Sequence, residues 1–231
     1  MKTKINKSQI VDFNEKTNNK SISSLIGTPE VLIRSKERVK KLAEVYTAKK
    51  EVNAMLDLIP KETWDKIDST FLEPSCGDGN FIEAIIIKKL EYLKKPKQIK
   101  KNQIQLEFDI LTTISSVYGI DICEENVERC KSRILNLIQS YYSNHFKTIN
   151  PTIQFEKLLA EIINVNYIAG DTLNESHNIF IVQWERPVNL FFRKKYFRLS
   201  ELSNSNPKPY KQEKLQKFNK IKTCWHSKPR W

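Results

Sequence analysis

The sequence contains few of the residues that cross-link small secreted domains or bind metals. It has four cysteines among 231 residues and no Cys-x-x-Cys pair, which excludes a disulfide scaffold. Its three histidines stand in unrelated contexts, which argues against a metal site. The sequence also lacks a run of about 18 apolar residues, the length a spanning helix needs, and its beginning has no apolar core typical of a signal peptide. We therefore expect a reduced, cytoplasmic protein that neither spans a membrane nor holds a metal.

Charged side chains are abundant, and basic ones predominate. The chain has 39 Lys and Arg against 27 Asp and Glu, a formal net charge of +12. Twelve basic residues and two acidic ones lie between Arg193 and Trp231, and five lysines with no acid lie between Lys94 and Lys101. Such clusters are typical of phosphate contacts, so this basic C-terminal segment and the Lys94–Lys101 cluster are predicted to bind DNA. The alternative interpretation is a solvated lysine-rich surface.

The chain divides into three stretches. Residues 1–34 are polar and weakly periodic and are expected to form a flexible N-terminal arm. Residues 35–190 begin with helical patterns and then alternate strands with helices, which predicts an α/β domain with a parallel, three-layer sheet. The last two strands are predicted within 164–171 and 177–184. Residues 191–231 form the basic C-terminal extension, whose end is predicted to be an amphipathic helix.

Glycines stand where two of the predicted strands end. Gly77 and Gly79 follow the strand that ends at Glu73 and precede a predicted helix. Glycine allows a sharp turn and a close approach of a ligand to the backbone, and the N–H groups at the start of a helix attract phosphates or carboxylates. The later strand ends at Asp121, the place where Rossmann-type sites bind a ribose. The spacing from Gly79 to Asp121 exceeds the roughly 20 residues of dinucleotide sites, and Ile82 replaces a third glycine, so NAD is disfavoured.

These features resemble the motifs of class I S-adenosylmethionine-dependent methyltransferases, and among them the N6-adenine DNA methyltransferases of restriction–modification systems. Four segments resemble family motifs in their order along the chain, and together they cover about residues 36–173. One departure is Ala48, which stands where the family usually has proline after threonine. The four segments are 44–48, 73–81, 119–121 and 169–173.

The resemblance implies a Rossmann-like three-layer methyltransferase sheet, complete or incomplete, with a helical N-terminal segment and a basic C-terminal extension. It implies S-adenosyl-L-methionine as the cofactor. The first motif would touch the methionine part of the cofactor, and the glycine loop would bind it. The acid at the end of the second strand would hold the ribose, and the Asp of the last motif would accept a hydrogen bond from the adenine amino group. The cofactor-binding residues implied in this way are Tyr46, Thr47, Glu73, Pro74, Cys76, Gly77, Gly79, Asn80, Phe81, Asp121, Ile122, Asp171 and Thr172.

One family motif, Asn/Asp-Pro-Pro-Tyr/Phe, has no counterpart in the stretch that follows Asp171. In the family it holds the flipped adenine. The most similar string lies at 206–210. One interpretation is a displaced catalytic loop, with Asn206, Pro207 and Tyr210 as the catalytic candidates. The other is a proline-rich turn. Two functions therefore remain: an adenine-specific (N6) DNA methyltransferase of a restriction–modification system, or a cofactor-binding module or split subunit. The second would need a partner for base binding and target recognition.

Overall fold

The computed structural model describes residues 47–94, 102–146 and 149–218. Tyr46, the predicted arm at 1–34, residues 95–101 of the lysine cluster and residues 219–231 lie outside this part of the chain. The described α-helices are α1 (Lys49–Leu56), α2 (Lys61–Trp64), α3 (Asn80–Leu93), α4 (Gln103–Ser115), α5 (Glu124–His145) and α6 (Ile153–Asn166). The strands are β1 (Phe71–Glu73), β2 (Val117–Asp121), β3 (Tyr167–Ala169), β4 (Phe180–Glu185), β5 (Phe191–Arg198), β6 (Lys211–Gln212) and β7 (Gln216–Lys217). Short 3₁₀ helices lie at Ser176–Asn178 and Leu199–Glu201.

A parallel sheet of three strands, in the order β1-β2-β3, forms the first half of the fold. Helices α3 and α4 connect β1 to β2, and α5 and α6 connect β2 to β3, as parallel pairing requires a long crossover. Glu73 lies opposite Gly119, and Asp121 lies opposite Ala169, so the three strands end at one edge of the sheet. This mixed helix-and-sheet architecture agrees with the predicted α/β class.

The central strand β2 is buried on both faces. Val117 belongs to the main core with α3, α4, α5 and α6, and Gly119 on the same face lies against Cys76 and Tyr167. On the opposite face, Tyr118 and Ile120 pack against Ile179, which precedes β4, and against Ile181 within β4. Successive side chains of a strand point to opposite faces, which explains why β2 contacts two different clusters. Because both faces are buried, β2 carries no charged residue before Asp121.

The second half of the fold is an antiparallel hairpin, which differs from the parallel arrangement predicted for residues 177–184. Strand β4 forms there, but it pairs with β5 from Phe180–Arg198 through Glu185–Arg193. The connection between them is only five residues long, and Leu190 takes a positive φ of 61° within it. A connection this short permits antiparallel pairing alone. No strand beyond β3 joins the parallel sheet in the described residues, so the complete Rossmann-like sheet stays a prediction.

The described part of the C-terminal segment packs into the main core. Phe192 on β5 and Phe218 after β7 are both about 2% exposed, and their rings lie 4.8 and 6.2 Å from the ring of Phe108 on α4. Residues 211–217 form two short strands paired with β5 rather than the predicted helix. In these residues the strand pairing with β5 outweighs the weak helical periodicity of the sequence. The proposed boundary at residue 190 falls inside the hairpin connection.

None of the described helices combines the length and apolar character that crossing a bilayer requires.

Candidate nucleotide-binding loops

The loops that follow β1, β2 and β3 meet at the carboxyl edge of the parallel sheet. The Cys76 N–H donates to the Ile120 carbonyl over 2.8 Å, and the Gly170 N–H donates to the Asp121 carbonyl over 3.0 Å. The Thr172 hydroxyl donates to the Pro74 carbonyl over 3.3 Å. Three of the four predicted cofactor segments are thereby brought together. The carboxyl edge of a parallel sheet is where such folds bind ligands.

Asp121 joins the glycine loop to the start of α5. Its Oδ2 accepts from the Gly77 N–H at 2.9 Å. Its Oδ1 accepts from the Cys123 N–H at 2.9 Å and from the Asn126 side chain at 3.4 Å. The residue is 7% exposed, so these donors compensate the burial of its carboxylate. A carboxylate offers about four acceptor positions, which leaves Oδ2 able to accept once more.

The two glycines of the loop have different surroundings. Both take positive φ, 53° at Gly77 and 91° at Gly79, a region that residues with a Cβ rarely adopt. A Cβ built on Gly79 would lie 2.5 Å from the Cys130 Sγ, whereas one built on Gly77 would meet nothing within 4 Å. Gly79 is therefore required for packing of α3 against α5. Gly77 presents its backbone to open space, as a ligand-facing glycine would.

The side chains beside the glycines mostly support the loop. Asn80, the first residue of α3, donates from Nδ2 to the Thr47 carbonyl and so ties the loop to the segment before α1. Glu73 accepts from the Ser75 N–H at 3.2 Å. Phe81 packs against the main core, and Cys76 is buried. Both therefore contribute to packing in this structure, and their predicted contact with the cofactor stays a prediction.

The Cys76 thiol is not set up as a nucleophile. Hydrogen bonding to Cys130, burial and the nearby Asp121 carboxylate all raise its pKa above the usual range. A buried thiol held in the protonated form is unreactive.

Ile122 and Asp171 lie at the exposed rim of the site. Ile122, the first residue after β2, is 64% exposed and gives the loop an apolar surface beside Asp121. Asp171 accepts from the Leu173 and Asn174 N–H groups at 3.0 Å and from the Asn174 side chain at 2.7 Å. The bonds from Asn174, with that from Leu173, lower the pKa of Asp171. The carboxylate is therefore ionised and shapes the turn after β3.

Asn126 is a site residue that sequence reasoning missed. It is 1% exposed, and its Nδ2 lies 3.4 Å from Asp121, while its Oδ1 accepts from Arg129. The sequence feature that could have identified Asn126 is its place in the first turn of the helix that follows a strand ending in an acidic residue. Only the turn after β2 shows that it faces Asp121.

The three catalytic candidates lie in the connection that leads into β6. Asn206 and Pro207 belong to the connection between Leu199–Glu201 and β6, and Asn206 is exposed. Tyr210 donates its N–H to the Tyr196 carbonyl over 2.7 Å, and its ring lies 5.2 Å from that of Phe180. These contacts are with β4 and β5.

No family model matches the chain, and neither a curated protein nor a solved structure matches it significantly. Within the described residues no cluster of three or more His, Cys, Asp or Glu is placed to hold a metal ion. The methyltransferase resemblance thus depends on the motifs alone.

Proposed function

We propose that the chain binds S-adenosylmethionine at the carboxyl edge of β1, β2 and β3 and takes part in methylation of adenine N6 in DNA, within a restriction–modification system. The observation that carries this proposal is the Gly77 loop. Its backbone is fixed by Asp121, while the space where a Gly77 Cβ would project is open. A nucleoside ligand needs that combination of a rigid loop and close backbone access.

The residues around the loop have the chemistry that an adenosyl group requires. Asp121 retains an acceptor position for a ribose hydroxyl, and the exposed Ile122 side chain offers an apolar surface to a base. Asp171 is an ionised acceptor for an amino group. The cofactor would supply an electrophilic methyl group on a sulfonium. The chain's own contribution would be to hold and orient the adenosine.

DNA is the proposed methyl acceptor because the C-terminal part of the chain is basic. The described portion includes Lys208, Lys211, Lys214 and Lys217, which are all exposed. Exposed cations of this density favour phosphate backbones in a salt-dependent way.

A second candidate, a cofactor-binding module that acts with a partner, is favoured by two observations. No Asn/Asp-Pro-Pro-Tyr/Phe string follows Asp171 before β5. The strand after β3 turns back into an antiparallel hairpin instead of extending the parallel sheet. In this version the partner supplies the base-holding residues and the target recognition.

Calorimetric titration with S-adenosylmethionine tests both candidates. We expect binding by the wild-type chain, a loss of at least tenfold in affinity for Gly77→Ala, and no change for Glu91→Gln, an exposed control on α3. Methyl transfer from labelled cofactor to mixed DNA then separates the two: transfer by the chain alone supports the enzyme, and binding without transfer supports the module. A folded chain that fails to bind the cofactor contradicts both.

A further inference from the structure

The basic residues of β5 are divided into two groups by their partners. Arg193 and Lys195 both pair with Glu185 at 2.5 Å. Lys194 is 8% exposed and pairs with Glu161 at 2.6 Å and Glu213 at 3.2 Å. These three cations already have carboxylate partners, so phosphate binding by them would compete with an existing ion pair.

Arg198, at the other end of β5, has aromatic partners instead. Its guanidinium carbon lies 5.2 Å from the ring centre of Phe180 and 5.6 Å from that of Tyr210, and the two rings are 5.2 Å apart. Both distances are within the range of cation–π attraction. The result is a cluster of two rings and one planar cation, which we call the Arg198 cluster.

The backbone holds the Arg198 cluster in place. Phe180 is the direct cross-strand neighbour of Arg198, and Arg198 donates from Nη1 to the His177 carbonyl over 2.9 Å. Tyr210 is fixed through its N–H bond to the Tyr196 carbonyl, yet 59% of the residue remains exposed. An ordered, exposed aromatic ring loses little conformational entropy on binding.

Two further lysines lie beside Tyr210 in the sequence, Lys208 and Lys211. Lys208 and Lys211 are exposed, and the Lys211 Nζ lies 5.2 Å from the ring centre of Tyr196. Among the ion pairs of the described residues, none involves Arg198, Lys208 or Lys211. Their charge is therefore available to an external anion.

We propose that the Arg198 cluster, with Lys208 and Lys211, binds an unpaired nucleic-acid strand by stacking its bases on Tyr210 and by pairing its phosphates with the flanking cations. Unstacked bases bind aromatic rings and guanidinium planes, whereas a duplex keeps its bases stacked and presents mainly its phosphates. Ile179, the residue before Phe180 in the chain, lies against Gly170 of the loop after β3. The proposal itself does not depend on cofactor binding.

Fluorescence anisotropy with a labelled oligothymidine strand, and with a duplex of equal length, tests this surface. We expect the single strand to bind more tightly than the duplex. Tyr210→Leu should weaken single-strand binding roughly tenfold, as loss of one stacked base predicts, and Tyr210→Phe should change it less than twofold. Arg198→Gln should weaken binding more than Arg198→Lys, and the paired control Arg193→Gln should have little effect.

The proposal is overturned if Tyr210→Leu and Tyr210→Phe bind alike, if the duplex binds as tightly as the single strand, or if Arg193→Gln weakens binding as much as Arg198→Gln. Any of these results would mean that general charge accounts for the binding. Circular dichroism and thermal melting of every variant exclude unfolding as the cause. Titration of the same proteins with S-adenosylmethionine keeps the two proposals separable, since the Tyr210 variants should retain cofactor affinity.

Discussion

At the scale of single residues, two glycines in one turn serve different purposes. Gly77 and Gly79 both need positive φ, but only Gly79 would place a Cβ against the Cys130 Sγ. Substitution at either position strains the backbone. At Gly79 it also forces α3 and α5 apart.

We predict that Gly79→Ala lowers the free energy of unfolding by more than 3 kcal/mol, on the order expected for strain plus overpacking. Gly77→Ala should cost about 1–2 kcal/mol. Urea denaturation measures both values. The double variant Gly79→Ala with Cys130→Ala should recover part of the loss, and no recovery would show that the Cys130 contact is not its cause.

Lys89 on α3 is a buried lysine whose surroundings change its pKa. It is fully buried, and its ammonium donates to the Ser69 carbonyl and to the Ser116 hydroxyl. Burial, with a further contribution from the Arg186 charge, lowers its pKa to about 7 from 10.5, against a smaller opposing effect of Asp68.

This shift makes stability depend on pH in a defined direction. Between about pH 7 and pH 10.5 the unfolded chain holds the Lys89 proton and the folded chain does not, so stability rises with pH across this window. The full penalty of burying the charge applies below it. We predict that Lys89→Met removes this dependence, so the stability of the variant relative to wild type falls by about 1 kcal/mol per pH unit from pH 7 to pH 9. Denaturant titrations at several pH values measure the difference. Lys66→Met, an exposed control on the segment before β1, should not show it.

At the scale of elements, the parallel sheet and the antiparallel hairpin are joined through Asn166, the last residue of α6. Its Nδ2 donates to the Val117 carbonyl at 3.0 Å and to the Ser115 carbonyl at 3.3 Å. Its Oδ1 accepts from the Trp184 indole N–H at 2.9 Å. One buried amide thus connects α4, β2, α6 and β4.

We predict that Asn166→Leu lowers the free energy of unfolding by about 2–4 kcal/mol, because a buried indole N–H and buried carbonyls lose their partners. Asn164→Leu, an exposed position on the same helix, should change it by less than about 0.5 kcal/mol. Thermal and urea unfolding provide the measurement. Equal effects at the two positions would contradict the role given to the Asn166 network.

At the scale of the whole molecule, the basic C-terminal segment contributes to the core. Strand β5 forms the centre of the antiparallel sheet, and Phe192 and Phe218 complete the cluster around Phe108. Residues 191–218 therefore supply packing as well as charge.

We predict that a chain shortened to residues 1–190 loses cooperative thermal unfolding, since it would expose the apolar surface that β5 covers. A chain shortened to residues 1–218 should keep a single cooperative transition. Calorimetry of both chains provides the comparison, and a cooperative transition in the shorter chain would show that residues 191–218 are dispensable for folding.

The local features of the site were predictable from sequence because they depend on neighbouring residues. A strand ending at Glu73, a glycine turn, a helix and an acid-ended strand at Asp121 all have short-range signals in glycine placement and apolar periodicity. The identity of the ligand has no such signal outside the motif resemblance, so it stays a prediction.

Sequence alone therefore determined the α/β alternation, the glycine loop and the clustering of basic residues. The tertiary structure decided that β4 turns back onto β5 and that Asp121 fixes Gly77. It also decided that Arg193, Lys194 and Lys195 form ion pairs while Arg198 lies against Phe180 and Tyr210. These outcomes depend on pairing between residues far apart in the chain. Such pairing is set by connection length, burial and the competition of charges for partners, none of which a local pattern contains.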